Sequence, residues 1–437
     1  MKLLLRGVRV IEPHRGTDLA PRDVLISDGC IAAIDHTVTA ETDVVIDLRR
    51  HEDAERCVVA PAFIDLHAHL REPGDEDAET VQSGAQAAAA GGFATVLAMA
   101  NTRPPVDTPE RVAAALQRNG AAAVTVMQAA AVSRNLDGVL LTGIEDCVAA
   151  GAAAFSDDGR NAFGSDVLVQ ALRRAADCDR GVLVHPEDEA LIASLGTPGT
   201  PLVRCALRPA EAEHRAVATA LEALRVAGRG RLHLQHLSTA TALDLVRQAK
   251  DEGLRVTAEV TPHHATMRHH PDAQRRVNPP LRDESDVAAV QRALADGTAD
   301  AIATDHAPHV AAAKEGGHGD AAPGMIGLET ALSACLALVP PALSMATLVE
   351  RLTLGPWAVL QHMPPPALRI GEPATLVVFD PAASWRVEAK DLRSKSANTP
   401  LIGEELQGRV LLTMVNGRIA HCHETLSAAR AKEATHV

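Results

Sequence analysis

The chain has 437 residues, of which 46% are hydrophobic and 22% charged; it is too long for one small domain and too apolar for a disordered, collagen-like or coiled-coil protein. Acidic residues outnumber basic ones 56 to 42, a formal net charge of −14 that argues against nucleic acid or an anionic membrane as partner. Seven cysteines lie scattered singly, an odd total with no Cys-x-x-Cys pair, which suits free thiols in a reducing cytosol. The start, Met1 to Arg6, has too short an apolar stretch for a signal peptide. The uncharged run Thr330–Val349 approaches membrane-span length, but Pro340-Pro341 divides it, so two short buried helices are expected. A soluble, cytoplasmic protein is expected. Aromatics are 2% of the chain and tyrosine is absent, so its core must be aliphatic.

The first 60 residues read as short strands: Lys2–Ile11, Asp23–Ile26, Cys30–Ile34 and Val44–Asp47. After Pro61 the pattern changes. Apolar Val/Ala/Ile runs alternate with segments of helical period, which marks repeated strand–helix units on a parallel sheet. Eight strands are predicted: Phe63–His69, Ala94–Asn101, Ala123–Val132, Ala152–Asp158, Gly181–Asp188, Arg231–Ser238, Arg255–His264 and Ala301–Pro308. Helices predicted between them include Thr80–Ala90, Glu110–Arg118, Asp166–Ala176, Ala210–Val226, Ala240–Lys250 and Asp286–Leu294. Such a series over about 250 residues has the size of an α/β (β/α)8 TIM-type barrel. Strands return at Ala374–Phe379, Val410–Val415 and Arg418–His421, and the two ends are expected to pair into one composite β domain. The predicted division is 1–60 and 371–425 for that domain, 61–370 for the barrel and 426–437 for a frayed tail.

Five of the eight predicted strands end in His or Asp residues that packing does not call for. They read Asp65-Leu66-His67-Ala68-His69, Ser156-Asp157-Asp158, His185-Pro186-Glu187, His233-Leu234-Gln235-His236 and Thr304-Asp305-His306. One such residue alone is ordinarily a hydrogen-bonded structural group. Alternation along the first strand points His67 and His69 the same way, and five strand ends converge on the face where barrels carry their sites. Imidazole with carboxylate is a ligand set for zinc or a similar ion, and there are too many ligands for one tetrahedral ion, which suggests two ions and a bridging carboxylate. His263-His264 and His269-His270 are expected at a strand end and on a solvated loop, outside the ligand set. His306 is expected to orient a neighbour. The glycine-rich loop Val310–Ala322 is expected to be a mobile lid.

The stretch Pro61 to Gly74 resembles the opening signature of the dihydroorotases, within the amidohydrolase superfamily. Further resemblance lies in Gly91-Gly92-Phe93, Met99-Ala100-Asn101-Thr102, Phe155 to Gly159, Ala258 to His264, Asn278 to Arg282 and Ala303 to His309, in family order over nearly the whole chain. The bacterial class I type is the most similar. The family's Met-Pro-Asn-Thr is replaced at Ala100, and its His-Ala-Glu or His-Cys-Glu at Pro186. The resemblance implies a metal-bearing barrel with one or two Zn²⁺ per chain, two favoured. His67 and His69 would bind the more buried ion, His185 and His236 the second, and Asp305 would contact the first and act as general acid/base. Spacing within the family favours Asp158 as the bridge, with Asp157 the alternative. His69, Arg71, Asn101, Asn278, His309 and the backbone at Pro323 and Gly324 would contact substrate.

The function so implied is reversible interconversion of L-dihydroorotate and N-carbamoyl-L-aspartate in pyrimidine biosynthesis, by a cytoplasmic homodimer that can stand beside an aspartate carbamoyltransferase. One alternative is another cyclic amidohydrolase: a hydantoinase, dihydropyrimidinase or allantoinase. Arg71 weighs against it, because a hydantoin offers no carboxylate to bind. The other alternative is a silent subunit, which would be expected to lack ligands.

Overall fold

The computed structural model describes residues 2–50, 57–160, 164–195 and 208–426. In chain order the strands are β1 (Lys2–Glu12), β2 (Thr17–Ser27), β3 (Cys30–Asp35), β4 (Val44–Asp47), β5 (Val58–Pro61), β6 (Phe63–Ala68), β7 (Phe93–Ala98) and β8 (Thr125–Ala130). They continue with β9 (Ala154–Ser156), β10 (Val182–Val184), β11 (Leu232–Leu234), β12 (Val256–Val260), β13 (Ala301–Ile302), β14 (Leu376–Arg386), β15 (Glu405–Val415) and β16 (Arg418–Cys422). These form two sheets. One has the order β16-β15-β14-β5-β1-β2-β3, with β4 added on β1, and so combines both ends of the chain.

Period-two alternation explains how that sheet meets the barrel. On β14, Leu376 and Val378 join the terminal sheet's own apolar cluster, while Val377 and Phe379 join the barrel's. On β5, Val59 faces the first, and Val58 and Ala60 the second. Phe63, Phe93 and Phe379 meet here, with ring centroids 5.7 Å (Phe63–Phe93) and 6.2 Å (Phe63–Phe379) apart. The remainder of the interior is mainly Ala, Val, Leu and Ile, with Phe155 and a few Met and Cys residues.

The second sheet runs β6 to β13 in sequence order, each strand parallel to the next, and forms a nearly closed eight-stranded barrel. The seam between its first and last strands is stitched by Thr304 N to Asp65 Oδ1 at 2.8 Å and His69 N to His306 O at 2.8 Å.

Some expectations need correction. The eighth strand is only Ala301–Ile302, because Asp305 adopts φ 46° and leaves the extended conformation. The seventh ends at Val260: Thr261 caps a short helix, Pro262–Thr266, with proline at its first position. His263 and His264 therefore sit on a helix, and both are buried. A strand the sequence reading missed, β5, belongs to the terminal sheet. Leu426 is buried in that sheet's core rather than frayed; residues 427–437 lie outside the described residues. The apolar run at 330–349 forms two short helices, Ala331–Leu336 and Met345–Leu352. Among the described residues no helix is long and apolar enough to cross a membrane.

Candidate functional site

At the carboxyl ends of β6, β9, β10 and β11 and beyond β13, four imidazoles surround two carboxylates, all buried. His67 Nε2 lies 3.2 Å from Asp158 Oδ1 and 3.5 Å from Asp305 Oδ1. His69 Nε2 lies 3.3 Å from Asp158 Oδ2 and 3.1 Å from Asp305 Oδ1. His185 Nδ1 is 3.5 Å and His236 Nε2 3.7 Å from Asp158 Oδ1, and these two nitrogens are 2.8 Å apart. Pro186 does not keep His185 out of the group. Arg71, His236 and Asp305 all have positive φ, at 60°, 35° and 46°, a conformation costing about 1–3 kcal/mol per residue and concentrated at functional sites.

The donors fit a metal. The atoms of His67, Asp158 and His236, and again of His67, His69 and Asp305, lie within 4.8 Å of one another. His67 Nε2, Asp158 Oδ1 and His236 Nδ1 are buried and make no hydrogen bond. Each such atom costs about 1–3 kcal/mol when left unsatisfied, a cost that a cation among them removes.

The two aspartates of the doublet part company. Burial raises Asp157 to about 6, against hydrogen bonds from the Ser133 N–H and hydroxyl, so it faces away from the histidines. Burial also opposes charge on Asp158, but His67, His185 and His236 hold its carboxyl well below the usual range. Burial opposes charge on Asp305 likewise, and His67, His69 and His236 hold it low.

Behind the histidines stand carboxylates that the motif reading passed over. Glu259 accepts from His67 Nδ1 at 2.8 Å and His233 Nε2 at 3.0 Å. Glu187 accepts from His185 Nε2 at 3.0 Å and pairs with Arg208. Both ionise at about 2 despite full burial, because of these partners. A glutamate inside the apolar strand Val256–Val260 was the available signal. Such partners fix ring orientation, and their loss typically lowers metal affinity by 10–100-fold. Glu259→Gln should show that loss in metal titration followed by elemental analysis, with the fold retained.

Next to His69, Asn101 Oδ1 is 3.0 Å from His69 Nδ1, and its Nδ2 donates to Asp158 O at 3.2 Å. Arg71 Nε donates to Pro308 O at 3.0 Å, and its charge bears on both His69 and His309. His309 Nε2 meets Pro323 O at 2.8 Å. Gly324 has φ 134°, and a Cβ there would lie 2.7 Å from Ala307 Cβ and 3.0 Å from His309 Nε2, so only glycine fits. Asn278 is half-buried and lines a small recess with Arg208, Arg276 and His318, outside the hydrogen-bonded centre. His306 bridges Glu79 Oε2 (3.2 Å) and Gly327 N (3.2 Å), a structural post next to Asp305. His264 bonds Thr261 and the carbonyl of Pro279. His263 is neutral because burial and His264 lower it, and its Nε2 is buried without a hydrogen bond. His269 and His270 are exposed.

The sequence model of the amidohydrolase family matches residues 58–420. A dihydroorotase of Anaeromyxobacter dehalogenans is 42% identical over 430 residues, covering 96% of this chain and 98% of that one. A dihydroorotase of Syntrophus aciditrophicus is 39% identical, covering 96% and 99%. Among solved structures, the L-hydantoinase (dihydropyrimidinase) of Arthrobacter aurescens superposes with a TM-score of 0.85 at 26% identity, covering 95% of each chain. With full-length identity on one side and a shared barrel on the other, this chain belongs to the amidohydrolase family and, within it, to the dihydroorotases.

Proposed function

We propose that the chain opens and closes the cyclic amide of L-dihydroorotate, giving N-carbamoyl-L-aspartate, with His67, His69, Asp158, His185, His236 and Asp305 as metal ligands. Zinc, two ions favoured, would polarise the amide carbonyl and activate the attacking water. Asp305 is ionised and lies at the mouth beside His67 and His69, so it is a base in the hydrolytic direction. It accepts a proton from the water as the new C–O bond forms, then donates that proton to the ring nitrogen as the C–N bond breaks. Ring closure runs the same steps in reverse.

The observation that carries the reading is a guanidinium beside this centre. Arg71 follows His69 by two residues, and burial first, then the charge of Arg71, lowers the His69 imidazole's readiness to protonate, against Asp305 and Asp158. A guanidinium there suits two-pronged binding of the substrate carboxylate, with Asn101, Asn278, His309, Pro323 and Gly324 around the ring. The hydantoinase-like shape favours a second reading, hydrolysis of uncharged ring amides. Arg71→Ala separates the two: kcat/KM for dihydroorotate should fall on the order of 10- to 100-fold, while dihydrouracil turnover changes little. Equal effects on both would sink the acidic-substrate assignment. The direct test is a spectrophotometric assay of dihydroorotate hydrolysis, beside elemental analysis of the protein. This reading puts the chain in cytoplasmic pyrimidine biosynthesis as a homodimer, with aspartate carbamoyltransferase as an associated subunit to be sought by co-purification.

A further inference from the structure

Lys314 closes the turn Ala311–Lys314 and is 5% exposed, although Ala311, Ala312, Glu315 and Gly316 around it face solvent. A lysine ammonium is ordinarily left in water. Here Nζ donates to the carbonyl oxygens of Arg276 at 3.3 Å, Ala322 at 2.8 Å and Gly324 at 2.9 Å. Three N–H bonds meet three acceptors. The contact is reciprocal. The Arg276 guanidinium donates back to the loop carbonyls of His318, at 3.0 Å, and Gly319, and Gly324 N donates to Arg276 O at 2.8 Å. Asn398 holds the far side: its Nδ2 donates to Ala307 O at 3.0 Å and Gly324 O at 3.1 Å, and its Oδ1 accepts from His309 N at 3.0 Å. The strands of backbone so tied carry Asn278, His309 and Pro323-Gly324.

We propose that Lys314 is a positioning residue for substrate binding: its ammonium clasps the Arg276, Ala322 and Gly324 carbonyls and so fixes the backbone that borders the substrate. The inference rests on the dihydroorotase reading. The loop thereby acts as a fastened wall of the site rather than a free cover. A backbone shift of about 1 Å in a binding site is enough to impair it.

The clasp depends on charge, since a neutral amine offers two N–H bonds to three carbonyls. The charged or titratable groups facing Lys314 are Arg276, His309, His318 and Asp272. Burial and Arg276 bring the ammonium down to about 8, with Asp272 opposing. The proton is held below that pH and lost above it, so the clasp is intact at neutral pH and slackens in mild alkali.

The test is steady-state hydrolysis of dihydroorotate by the metal-loaded enzyme. For Lys314→Met, KM should rise about tenfold at neutral pH while kcat stays within about threefold. Wild-type KM should climb between about pH 7 and 9.5, and the variant's should stay level. An unchanged KM in the variant, or the same climb in both proteins, overturns the proposal. If Lys314→Met does not fold, a level wild-type KM over that range overturns it alone. Absence of any wild-type turnover on dihydroorotate overturns the underlying reading and the proposal together, and is told apart by that control.

Discussion

Replacing Asp305 with asparagine should lower turnover by roughly 10² or more, the ordinary scale of a positioned acid/base, while most metal binding and the fold remain. Asparagine keeps the shape and an oxygen that can face His69, 3.1 Å away, but it cannot take up a proton. The lesion should therefore appear in kcat rather than KM, in both directions of the reaction. The strained backbone at this position, φ 46°, is tolerated by asparagine as well as by aspartate, so a collapse of structure would not be the cause. Wild-type rates in Asp305→Asn would remove this residue from proton transfer.

The second large effect concerns the anion proposed to bridge two metal ions. Many amidohydrolases use a carbamylated lysine there, which this chain cannot supply. Its sequence has no lysine between Lys2 and Lys250, and Lys250 is engaged elsewhere, 2.7 Å from Asp300 and bound to the carbonyls of Gly297 and Thr298. Asp158 is held ionised by the histidines and needs no carbon dioxide. Asp158→Ala should lose one or both ions and with them nearly all activity. Asp157→Ala should keep the metal but lose bonds to the Ser133 N–H and hydroxyl, costing about 1–3 kcal/mol of stability. Metal analysis and thermal melts separate the two, and apoenzyme should recover with metal alone, without bicarbonate. Metal loss in Asp157→Ala but not in Asp158→Ala would reverse the assignment within the doublet.

The barrel was legible because apolar runs and helical period alternate so regularly between Phe63 and Ile302. The histidines at its mouth were legible because a buried strand has no packing use for His-x-His. Glu187, Glu259 and Lys314 were harder to see. Each acts through another residue: Glu187 serves His185, two positions away, and Lys314 binds carbonyls 8 to 38 positions away, but Glu259 serves His67, 192 positions away. Local pattern carries no trace of such a pair. The eighth strand was overread for a related reason, since Asp305 departs from the extended form where residues 304 to 306 bond across the seam to Asp65 and His69. The helix at Pro262 was missed although Thr261-Pro262 is a helix-start signal, because the apolar run before it was read straight through.

The sheet shared by the two ends of the chain also sets a timetable. β5 ends at Pro61 and pairs with β14, which starts at Leu376. During synthesis at about 5–20 residues per second, the N-terminal strands wait roughly 15 to 60 seconds for that neighbour. Until then β5 presents an open edge, and Val58 and Ala60, buried in the finished barrel core, have only part of their packing. A nascent chain in this state is vulnerable to edge-to-edge pairing with other chains. Stop codons or cuts before β14 should then yield aggregates rather than a soluble barrel, although every proposed metal ligand is already present by Asp305.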